Sequence, residues 1–201
     1  MKSDVIILTS QDPAPDAALH QAEAVASYCG LDKKSALHLR LLTEELMGLL
    51  HALTGELEAE FWIENRGMDF QLHMTTRTLM NLEKREKLLS ASSSGKNAAA
   101  KGVLGKLRDV FACSLDARQG LQPWYHEAGM VDPVSYAGSA AIIDWSMRKY
   151  RRSVEEKLTE QDPEAQEAWD ELEKSIINRL ADEISIGIRG DRVEMVVYKR
   201  F

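Results

Sequence analysis

The sequence predicts an α+β fold, a two-layer α/β sandwich with a mixed, mostly antiparallel sheet and helices on one face. Three observations carry that expectation. Short β-favouring runs stand at both ends of the chain, at Val5–Leu8 and across 184–199. Two amphipathic stretches separate the first run from an alternating pair at 58–75. A second helical pair precedes the last run. Strands are few and hairpin-connected, and helices cluster between them, so the helices should form their own layer.

Each element has its own signal. Val5, Ile6, Ile7 and Leu8 are bounded by Ser10-Gln11-Asp12-Pro13 and read as a strand. A helix should run from Ala14 to Tyr28, with Pro15 in its first turn and Gly30 as its left-handed stop. A second helix should begin at the N-cap Asp32 and end before Gly55. Leu39, Leu42, Leu46, Leu49, Leu50 and Leu53 fall on one side of it. Leu37, Leu41, Glu44, Gly48 and Ala52 line up on the other. A greasy face opposite a half-apolar face with a carboxylate predicts a helix covered on both sides.

Glu58–Glu64 and Phe70–Thr75 read as strands joined by a turn at Asn65-Arg66-Gly67. A short charged helix is expected over 79–89, a loop of small residues over 90–101 and a helix over 103–115. Residues 120–138 read as an irregular connection. Ile143, Met147, Tyr150, Val154 and Leu158 mark one helical stripe, and Ala165, Trp169, Leu172, Ile176 and Leu180 mark another. Asp162 and Pro163 should cap and start the second. A hairpin over 184–199 closes the chain, turning at Gly190-Asp191.

Composition narrows the class. The chain has 201 residues, 44% hydrophobic and 28% charged, which is enough for a sizeable core and too apolar for intrinsic disorder. A net charge of −7 argues against a general nucleic-acid or anionic-membrane binder. No apolar run has the length of a membrane span, and Val5–Leu8 is too short for a signal peptide. Cys29 and Cys113 stand alone, without metal-ligand neighbours, so a cytoplasmic setting without disulfide or zinc is expected.

The order strand, helix, helix with an internal Glu, hairpin, loop and Gly-containing helix resembles the GHKL, or histidine-kinase-like, ATPase domain. The nearest layout is that of the anti-sigma-factor serine kinases. Residues 1–115 carry the resemblance, and the last hairpin would complete the sheet. In that family the second helix carries Glu, three residues, then Asn. The Glu acts as general base and the Asn binds the magnesium of ATP. In Leu42-Thr43-Glu44-Glu45-Leu46-Met47-Gly48, Glu44 takes the Glu position and Gly48 the Asn position. The family's Asp-x-Gly-x-Gly, which holds adenine, corresponds to Met74-Thr75-Thr76-Arg77-Thr78, which has neither the Asp nor a glycine. Its phosphate-cradling turn is matched in part by Ser94-Gly95-Lys96 and Lys101-Gly102-Val103-Leu104-Gly105.

The resemblance therefore implies a catalytic candidate, Glu44, and nucleotide-binding candidates at Gly48, Thr75, Lys96, Lys101, Gly102 and Gly105. Mg-ATP is the implied cofactor. The missing Asn and Asp argue against ordinary hydrolysis or serine phosphorylation, so an enzyme is not expected and no cofactor is assigned. Each candidate also has a plain reading. Glu44 suits an exposed helix carboxylate. Gly48 suits close packing of a neighbour. Ser94-Gly95-Lys96 suits a surface loop and lacks P-loop spacing. His38, His51 and His73 show no metal spacing and read as surface or cavity histidines.

Arg148, Lys149, Arg151 and Arg152 form a basic cluster beside Trp145 and Tyr150, followed by an acidic stretch over 155–173. The cluster suits a solvated helix face. It also suits a partner surface, with Trp145, Arg148, Arg151 and Arg152 as its contacts. We expect one elaborated domain over 1–201, with 116–181 as an insertion. The first expectation for its role is a cytoplasmic regulatory protein, similar to an anti-sigma factor, that captures a protein partner such as a sigma factor or an anti-anti-sigma-like protein. The rivals are an ATP enzyme with substituted motifs, using Glu44 as base and Lys96 and Lys101 on phosphate, and an unrelated α+β interaction module. The resemblance allows a homodimer, which no residue pattern specifies.

Overall fold

The computed structural model describes residues 1–9, 14–54, 58–77, 142–159, 161–189 and 192–201. The helix and loop expected over 79–115, the connection over 120–138 and the Gly190-Asp191 turn lie outside them. Among the described residues, eleven elements follow in order: β1 (Ile6–Thr9), α1 (Ala14–Tyr28), α2 (Lys33–Thr54), β2 (Glu58–Arg66), β3 (Asp69–Arg77), β4 (Ile142–Ser146), α3 (Met147–Thr159), α4 (Pro163–Lys174), α5 (Ile176–Leu180), β5 (Glu183–Arg189) and β6 (Arg192–Arg200). The fold is α+β. Among the described residues, six strands form one open sheet in the order β1-β2-β3-β6-β5-β4.

The expected mixed sheet is antiparallel in the ladders described. β2 pairs antiparallel with β1 and with β3, and β4 with β5. β6 runs against β3, because His73 lies by Glu194 while Asp69 lies by Arg200. The two helices between β1 and β2 return the chain in the opposite direction, so a parallel crossover is not needed.

The chain divides into two compact units. The first comprises Met1–Arg77, Ile176–Ile184 and Glu194–Phe201. Its sheet has a fully buried row: Leu8, Phe61, Ile63, Phe70, Leu72 and Met74. Ile7 is 71% exposed, so the Leu8 side of β1 is the side that α1 covers. α1 stops at Gly30, whose φ of 68° is left-handed. Leu31 N–H donates to Ala26 O at 3.0 Å and Gly30 N–H to Ser27 O at 3.1 Å, the paired bonds of a Schellman cap. Asp32 then caps α2, accepting from Ser35 N–H at 2.9 Å. That bond holds the Asp32 carboxyl below its ordinary range. Between β2 and β3 the turn falls on Gly67-Met68, later than expected, because Arg66 still pairs with Asp69. Gly67 has φ 61°, which a two-residue hairpin with glycine first requires.

The second unit comprises Thr78–Ser175 and Ser185–Val193. Two expectations are corrected in this part of the chain. Ile143 was grouped with the helical stripe, yet Ile142–Ser146 is a strand and the helix starts at Met147. Two adjacent β-branched isoleucines favour extended backbone, and the Ser146 hydroxyl accepts from Lys149 N–H at 3.4 Å as α3 begins. The second stripe is also broken. α4 ends at Lys174 and α5 starts at Ile176. Ser175 N–H is shared between Glu171 O and Leu172 O at 3.1 and 3.3 Å. Ile177, not Ile176, is the buried side chain of α5. Among the described residues no helix is long and apolar enough to cross a membrane.

Candidate functional site

The site expected on α2 is built by helical periodicity. Leu39, Leu42, Thr43, Leu46 and Met47 are buried, and the Thr43 hydroxyl donates to Leu39 O at 2.9 Å. That row faces the core and leaves the opposite side outward. There Leu37 is 53% exposed, and Glu44 and Gly48 are exposed too. Among the described residues, no second cover lies over α2 at these three positions. Glu44 and Gly48 share a face, one turn apart, as the spacing requires.

Gly48 does not serve close packing either. A Cβ added there would meet nothing within 4 Å. Nor does the glycine supply a donor atom where the family's metal-binding amide would stand. Thr75 sits on a different surface. In β3 it alternates with Met74 and so lies on the sheet face away from the buried row. It is 5% exposed, and among the described residues its hydroxyl has no hydrogen-bond partner. Glu44 and Gly48 are thus brought together and Thr75 is not. The described residues do not fit a magnesium-bound triphosphate at this helix. Lys96, Lys101, Gly102 and Gly105 lie outside the described residues.

A neighbouring carboxylate was missed. Glu45 is half-buried, and burial, with the charge of Glu44 adding to it, raises its pKa above the ordinary glutamate value. Sequence position alone does not distinguish it from Glu44. The packing of the next turn does.

In the second unit the basic cluster lies at the start of α3. Arg148, Lys149 and Arg152 are exposed and Arg151 is half-exposed. Trp145 is 3% exposed and tilts against Tyr150 with ring centroids 6.0 Å apart. Trp145 therefore packs inward and does not offer its ring to a partner. The arginines, expected as its companions, remain as the outward part of that patch. Cations in the first turn oppose the helix dipole, so α3 carries them against its own preference.

No protein-family model matches the chain, and neither a curated protein nor a solved structure matches it.

One further cluster escaped the sequence reading, on the sheet face that carries Thr75. Trp62 and His73 stack with centroids 4.8 Å apart and planes 5° from parallel. Lys2 Nζ lies 4.6 Å from the Trp62 ring centre and 3.2 Å from Glu64 Oε1. The Trp62 indole N–H donates to the same oxygen at 2.9 Å. The alternation of β2 and β3 was visible beforehand. The register that sets Trp62 opposite His73 was not. Among the described residues no group of three or more His, Cys, Asp or Glu could hold a metal ion.

Proposed function

We propose that this chain is a cytoplasmic regulatory protein on a histidine-kinase-like ATPase scaffold that acts by capturing a protein partner and not by turning over nucleotide. The observation that carries the reading is the state of the α2 face. Glu44 keeps its motif position and is exposed, while Gly48 offers hydrogen where a metal-binding amide would stand. The order β1, α1, α2, β2, β3 and the presence of β5 and β6 in the same sheet support the scaffold. The outward arginines of α3 support an acidic contact surface on the partner. A sigma factor or an anti-anti-sigma-like protein is the class of partner the resemblance implies.

A turnover assay with Mg-ATP tests this. Wild-type protein, Glu44→Ala and Lys101→Ala should all release phosphate at the buffer rate. Turnover in the wild type that both substitutions abolish would establish the enzyme reading instead.

A further inference from the structure

Residues before β1 extend its pairing along β2. Lys2 bridges Glu64 in antiparallel fashion. Ser3 N–H donates to Ile63 O at 2.9 Å, and Ile63 N–H returns to the Ser3 hydroxyl at 2.9 Å. Asn65 N–H donates to Met1 O at 2.9 Å. Met1–Ser3 thus form a strap on one side of β2, with β3 on the other. The Trp62 indole meets both the Lys2 ammonium, 4.6 Å from its ring centre, and the His73 ring, 4.8 Å away.

His73 is the unsatisfied member. Its side chain is 12% exposed, and among the described residues neither ring nitrogen has a hydrogen-bond partner. Its Nδ1 is 4.0 Å from Glu194 Oε1, beyond hydrogen-bond distance. The charged groups facing it are Glu64 on β2, Glu194 on β6 and Lys2 on the strap. On β3 its same-face neighbours Gln71 and Thr75 are uncharged, and Glu60, opposite Thr75, is exposed. Burial is the largest influence and holds the imidazole pKa below its ordinary value. Glu64 is held low by the Trp62 indole N–H and by Lys2.

Protonation changes the balance. The imidazolium gains a second N–H donor and a charge between two carboxylates. It competes with Lys2 for Glu64 and for the Trp62 π-face, and it repels the ammonium. We propose that His73 is a proton-operated latch, and that its protonation loosens Lys2 and frees the Met1–Ser3 strap from β2.

Amide exchange followed by NMR on the full chain tests this, with rates corrected for intrinsic pH dependence. Between about pH 8 and about pH 5, across the histidine range, protection of Ser3 and Asn65 should fall about fivefold or more. The fall should track the His73 ring proton shift, while Leu72 and Met74 stay protected. In His73→Gln the fall should vanish. Linkage is reciprocal, so Lys2→Met should raise the His73 midpoint. Protection that ignores the His73 titration, persists in falling in His73→Gln, or leaves the midpoint unmoved in Lys2→Met would overturn the latch.

Discussion

Glu44 and Gly48 occupy one exposed face of α2, a turn apart, with Leu42 and Leu46 buried behind them. On the proposed reading, Glu44 keeps the carboxylate of a two-residue motif and Gly48 has no side chain to supply the other group. Thr75, which the resemblance sets in the adenine motif, lies on the sheet face turned away from the buried row.

The two glycines flanking this account should respond oppositely to alanine. Gly48 sits in a helix with open space around it, so Gly48→Ala should stabilise by about 0.5–1 kcal/mol. Gly30 is left-handed at φ 68°, so Gly30→Ala should cost about 1–2 kcal/mol. Urea denaturation of both variants checks the pair, and equal effects would contradict the assigned backbone.

The leucines of α2 sort by face. Leu42→Ala or Leu46→Ala should cost about 2–5 kcal/mol, as full burial leaves a cavity. Leu37→Ala should stay within about 0.5 kcal/mol, since Leu37 is largely in solvent. A large loss at Leu37 would mean that the outward face is covered after all.

Acid should destabilise the fold through His73. The unfolded chain takes up the proton near the ordinary histidine value, and the folded chain does so only at lower pH. Stability is therefore full above about pH 6.5 and declines as pH falls toward the folded pKa. His73→Gln should flatten that decline in denaturation midpoints.

Glu45 acts with the opposite sign at lower pH. Its folded pKa is raised, so the folded chain is penalised while Glu45 is ionised in both states. The penalty fades as pH falls through the raised folded value toward the ordinary one. Glu45→Gln should raise the denaturation midpoint at neutral pH and lose that advantage in acid. A variant less stable than wild type at neutral pH would show that the carboxylate makes a favourable contact.

Much of the fold was legible because local chemistry and packing agree there. The start at Ala14 and the stop at Gly30 were both readable, as proline and glycine chemistry punctuate α1. The strand at Ile142–Ser146 was hidden because Ile143, Met147 and Tyr150 also fit helical spacing, and five residues are too few to separate the two periods. The break at Ser175 was hidden because the apolar stripe runs on across it. On α2, the shared face of Glu44 and Gly48 was readable from their spacing. The outward direction of their face depends on packing that spacing does not carry. The Trp62–His73 stack depends on register, which no single strand encodes.

Equilibrium titration of Mg-ATP into the full chain by calorimetry tests the proposal that the α2 face lacks a working nucleotide site. No magnesium-dependent heat of binding is expected, with wild type and Glu44→Ala indistinguishable. Tight, magnesium-dependent binding that Glu44→Ala abolishes would contradict it.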